Sequence, residues 1–309
     1  MNSYLSKLFC SILLLSVYCS YGLAKDTNII PADVLTRIIY LQQNMDNLRL
    51  FMGKPKTSKP WIVTIKVQPR SVYFQAQSLL VKANQLSLEQ TGIHIKIPAI
   101  KKTLNIRSKD VFETVNLAMG LANNVKYKYK IPTRSTVQPQ AESTSSNQVY
   151  TALVSANQQI NYLLDHPVSS SEVFQTMEEA LFYLRAIIEI KLSNTQLADK
   201  PVYIRNKTPR DVFFLLFESL KQINILFSSN KLNGINVQLA SQVLQQQKPG
   251  DVNDLAKVVL SEIKFLYDHF GLQTKYQGYY PGRKFPSDVY QQVNWLHLLL
   301  NQAIRDIKQ

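Results

Sequence analysis

The sequence predicts a mostly α fold of tandem helical repeats: two duplicated four-helix units with long, partly extended connections. Three observations carry this. A helix-start pattern built around a valine occurs eight times. The residues after each valine follow a 4-3-4-3 apolar spacing. The spacing of the valines then repeats after the fourth.

The pattern is fullest over residues 208–226, TPRDVFFLLFESLKQINIL. Thr208 suits the N-cap and Pro209 the first helical position. Asp211 lies where a carboxylate reaches back to orphan N–H groups and faces the positive end of the helix dipole. After Val212, the residues Leu216, Ser219, Ile223 and Leu226 line one seam, which a single helix cannot bury.

Equivalent starts lie at Val34, Val72, Val111, Val149, Val173, Val212, Val252 and Val289, in steps of 38, 39, 38, 24, 39, 40 and 37 residues. The short fourth step separates two sets whose matching members are 139 to 141 residues apart, which reads as an internal duplication. Of 32 seam positions only Ser219 is polar, where 45% apolar content gives about 14 apolar positions by chance. Small seam residues (Ala118, Ala122, Ala156, Ala180, Ser219) predict close helix approach.

Taken in order, residues 1–24 read as a secretory signal: Lys7, an apolar run, then Gly22-Leu23-Ala24 with small residues before a cut. Cys10 and Cys19, the only cysteines, lie within it, so the remaining chain offers no disulfide and no thiolate ligand. The expected location is exported, periplasmic or secreted, with no further segment approaching the length of a membrane helix.

The expected units are 25–165 and 169–309, joined by the His166-Pro167-Val168 turn. A turn that short predicts antiparallel neighbours. Alternating runs at 61–67, 93–97, 127–131 and 202–205 predict extended chain that returns along a helix and starts the next one parallel to the last. A short second helix is the competing reading, supported at 237–247. The Ser/Thr/Gln-rich stretch 133–148 reads as a mobile insertion.

Net charge belongs to the connections, which hold 21 basic and 5 acidic residues. Aromatics sit among these charges in two segments at equivalent places of the duplication. One holds Lys126, Tyr127, Lys128, Tyr129, Lys130 and Arg134; the other holds Tyr279, Tyr280, Arg283 and Lys284. Cationic heads beside tyrosine faces suit an anionic partner: an envelope polymer, a lipid head group or an acidic protein. Nucleic acid fits the charge, but export argues against it, and no zinc-finger spacing, RNA-recognition motif or phosphate-binding loop is present.

Asp33, Asp110, Glu172, Asp211, Asp251 and Asp288 share one place in the helix start, which assigns them to capping and not to hydrolysis. His94, His166, His269 and His297 are scattered without metal-ligand spacing, and His297 adjoins the seam as a packed residue. No nucleophile elbow, catalytic residue or cofactor motif is found. The expected function is an exported, non-enzymatic binding or scaffold protein. The alternative is an enzyme whose site forms between the two halves.

Overall fold

The computed structural model describes residues 28–56, 62–132, 137–191, 196–239, 247–279 and 281–308. The expected signal segment lies outside them. Eight long helices run through the described residues: α1 Pro31–Phe51, α2 Pro69–Thr91, α3 Ser108–Lys128, α4 Ser146–Leu163, α5 Ser170–Lys191, α6 Pro209–Ser229, α7 Pro249–His269 and α8 Pro286–Lys308. Each begins within a turn of one of the eight valines. All eight valines and all 32 seam positions after them are buried, none exposed by more than 5%.

The starts are held by the acids singled out above. The backbone N–H of Ile30, Arg107, Ser169, Thr208, Lys248 and Phe285 donates to the carboxylate of Asp33, Asp110, Glu172, Asp211, Asp251 and Asp288, respectively, at 2.7–3.0 Å. Gln148 plays the same part for Ser145 in α4. The six carboxylates therefore offset the positive helix end and satisfy one orphan donor each.

Within each set the first and second helices both pack against the third and fourth, giving the order α1-α3-α2-α4 and, again, α5-α7-α6-α8. All helices of a set point the same way. In the second set, Ser170, Pro209, Pro249 and Pro286 and the four valines just inside them close around one apolar cavity of about 10 Å³, so four helices start together. In the first set, Arg37 of α1 donates to Met119 of α3 and, farther along both helices, Asn44 accepts from Lys126, so the two run in the same direction. At the far end Phe51 meets Tyr129, with ring centroids 4.9 Å apart.

Parallel neighbours need long returns, and the connections supply them. Between α5 and α6 the chain climbs back along α8: Gln302 bonds the carbonyl of Gln196, Trp295 that of Ala198 and Gln291 that of Pro201, and Ser287 accepts from the N–H of Lys207. Asn84 clasps both the N–H and the carbonyl of Ile95, and Asn224, at the equivalent place on α6, donates to the carbonyl of Ile235.

Of the four alternating runs, one contains a strand, β1 (Ile62–Lys66); 93–97 and 202–205 have no strand, and 127–131 is the end of α3. β1 pairs antiparallel with β2 (Asn236–Leu239). The second helix expected at 237–247 is thus a strand over its first residues, and 240–246 lie outside the described residues. Of the expected insertion 133–148, residues 133–136 lie outside as well, and Ser145 accepts from the N–H of Gln148 as the N-cap of α4.

The two sets pack through α2 and α7, which run in opposite directions: Arg70 and Ser71 meet Glu262, while Ser78 and Lys82 meet Asp254. One continuous apolar cluster spans both sets. The short turn after α4 does reverse the chain, but α4 and α5 are not packing neighbours; α4 instead meets the start of α7. There a Cβ on Gly250 would come within 2.4 Å of Asn161, a close approach that favours glycine. Helix α6 corrects a further expectation. It is long and apolar enough to cross a membrane, although half of that window is buried against its neighbours here.

Candidate functional site

Inverting one parallel set against the other puts the C-termini of α1–α4 and the N-termini of α5–α8 at one end of the molecule. Polar contacts tie this end together. Asp165, just after α4, takes Lys54 at 3.2 Å and Gln90 at 2.8 Å; Lys128 donates to the Gln90 carbonyl and Tyr129 to its side chain. Four residues after His166 the chain enters α5, whose first turn joins the ring of helix starts.

The first of the two basic, tyrosine-bearing segments lies here in altered form. Lys126 is buried, its ammonium donating to Asn44 Oδ1 at 2.6 Å, and desolvation lowers its pKa. It is a packing residue of α3 and not part of a contact surface; at the equivalent places of the second set the tilted rings of Tyr183 and Tyr267 meet instead, with centroids 4.7 Å apart. Tyr127, Lys128 and Lys130 are exposed, and Tyr129 is half-buried at Gln90. Arg134 lies outside the described residues.

In the second segment Tyr279 is exposed and donates to Glu178, which together with burial pushes its pKa up to about 12. Arg283 lies over Phe285 at 5.2 Å and Lys284 over Phe174 at 4.7 Å. Tyr280 lies outside the described residues.

Three cations missed in the sequence join them: Lys207 over Tyr290 at 4.3 Å, Arg210 over Phe214 at 5.6 Å and Lys248 over Tyr162 at 3.5 Å. A usable signal existed. Each lies within two residues of a helix N-cap, where a positive charge opposes the dipole. Among the described residues none of these five cations has a carboxylate within salt-bridge reach. Each instead rests on an aromatic face that supports it without neutralising it. The helix ends themselves add little, because the C-termini of α1–α4 lie beside these capped N-termini; the cations on rings are what make this end attractive to anions.

A second polar cluster, between α2, α4 and α7, is closed. The Arg70 guanidinium grips Glu262 at 2.7 and 3.2 Å and lies 3.7 Å from the Phe265 ring centroid; Lys82 grips Asp254 at 2.7 and 2.8 Å, with Ser71 and Ser78 filling the remaining acceptor positions. Burial raises the pKa of the Tyr150 hydroxyl, helped by the Glu262 and Asp254 carboxylates, and it has no hydrogen-bond partner among the described residues. Burial likewise pushes Asp251 up to about 6. Residues some 180 apart in the chain meet here, and no local pattern announces them.

Ser219 bonds the Leu215 carbonyl and meets His297 Nδ1 at 3.3 Å, and partial burial lowers the imidazole pKa. Among the described residues no group of three or more His, Cys, Asp or Glu is placed to hold a metal ion. The fold and site define a helical-bundle protein with a cationic end. Comparison with known protein families, with curated proteins and with solved structures gives no match.

Proposed function

We propose that this is an exported, non-enzymatic binding protein that engages an anionic partner through its cationic end. The observation that carries the reading is the set of cations, Lys207, Arg210, Lys248, Arg283 and Lys284, held on aromatic faces at the start of parallel helices with no carboxylate within 4 Å among the described residues; Asp211 and Asp251, the nearest acids, are taken up as helix caps. Lys128, Lys130, Tyr127 and Tyr279 extend the same reading, and Lys126 drops out of it.

The test is a charge reversal, Lys207→Glu with Lys284→Glu. Glutamate near a helix start favours the helix, so the melting temperature is expected to hold or rise. Affinity for a soluble polyanion is expected to fall by about tenfold or more, with a shallower dependence on salt. Unchanged polyanion binding would sink the reading.

A further inference from the structure

The return between α5 and α6 ends in Lys200-Pro201-Val202-Tyr203-Ile204-Arg205-Asn206-Lys207. Its middle is three consecutive apolar residues exposed to solvent, Val202 by 86%, Tyr203 by 42% and Ile204 by 46%. Such runs weaken solubility and contribute nothing to the core, so they persist where a surface uses them. This one is not frayed chain. Gln291 holds it at the Pro201 carbonyl, Ser287 at the Lys207 N–H, and Asn206 adopts a left-handed φ of 62° that turns it into α6.

The surroundings select the partner. Lys200, Arg205, Lys207 and Arg210 flank the apolar tip, against two acids, Asp199 and the α6 cap Asp211, and the tip lies beside the cationic end. An apolar tip ringed by cations matches the layering of an anionic bilayer surface, with hydrocarbon beneath phosphate. Tyrosine is suited to the level between them. Resting on the function proposed above, we infer that the anionic partner is a lipid surface, with Val202, Tyr203 and Ile204 inserted into the head-group region and the flanking cations on the phosphates.

The experiment is flotation of the full chain with vesicles of phosphatidylcholine alone and with added phosphatidylglycerol, in parallel with binding to a soluble polyanion. Wild type is expected to float only with the anionic vesicles. Val202→Ser with Ile204→Ser, both exposed and so harmless to folding, is expected to lower vesicle partitioning by about tenfold while polyanion binding stays unchanged. Arg205→Glu with Lys207→Glu is expected to lower both. Vesicle binding indifferent to the serine pair overturns the inference. Polyanion binding without vesicle binding also overturns it, leaves the anionic-partner reading standing and points to a soluble polymer or acidic protein. Loss of both kinds of binding in the wild type defeats both readings.

Discussion

Asp251 carries two demands that pull its proton in opposite directions. As the cap of α7 it accepts the Lys248 N–H at 3.0 Å, which favours the carboxylate; burial, the largest influence, opposes this, and the neighbouring Asp254 charge adds to the opposition while Lys82 and Lys248 work against it. Its pKa is pushed up to about 6 from 3.8, so between those values the folded chain binds a proton that the unfolded chain does not. Stability from this group therefore rises as pH falls through 6 and levels off below 3.8; above 6 the charged form costs up to roughly 3 kcal/mol. Asp251→Asn keeps an acceptor for Lys248 and removes the charge. In urea titrations the variant is expected to be the more stable one well above the native pKa, with the gap closing on acidification; a gap independent of pH refutes the assignment. The capping role was legible in the sequence, because it depends on four adjacent residues. The burial was not, because α4 reaches this helix start only through the packing of the two sets.

At the scale of the helix, the sequence disclosed most of what the structure contains. The eight valines mark the eight starts, and the 4-3-4-3 spacing marks the buried face, since both signals repeat within one or two turns. Thr208 is one of the few caps with a full reciprocal pair: its hydroxyl accepts from the Asp211 N–H at 3.3 Å and donates to the Asp211 carboxylate at 2.7 Å. That carboxylate is held below its ordinary pKa by the Thr208 bonds. Thr208→Ala is expected to cost about 1 kcal/mol, read as a lower urea midpoint with an unchanged slope. No loss of stability would mean that the backbone bond to Asp211 alone fixes the start. The strands were half legible. The run at β1 alternates, but its partner β2 belongs to a connection of the other set, and a pairing across some 170 residues leaves no periodic trace. Helices α2 and α7 bury more than the seam that the spacing marks. Their polar residues Arg70, Ser71, Gln75, Ser78 and Lys82, and Asp254 and Glu262, are buried too, because they face each other.

For the whole molecule, that polar seam resolves a difficulty that parallel bundles create. Four aligned helices add their dipoles, so each set alone has a positive and a negative end. Packing the sets head to tail cancels the sum, and the caps temper what remains. The seam also ties the sets into one body. Arg70 is held by Glu262, by the Asn233 carbonyl at 2.6 Å and by the rings of Phe265 and Phe227, so removing one partner leaves a buried charge without compensation. Arg70→Ala is expected to cost about 3–5 kcal/mol, whereas Arg70→Met with Glu262→Leu, which removes both charges and keeps volume, is expected to recover most of it. Because one apolar cluster runs through both sets, wild-type unfolding in urea is expected to be a single transition, with circular dichroism and Trp fluorescence coinciding. In Arg70→Ala the two signals are expected to separate, as the weakened seam lets one set open before the other. Coincident transitions in that variant would show that the apolar contacts of α2 and α4 with α7 suffice to couple the sets, and that the ion pairs act on register and not on cohesion.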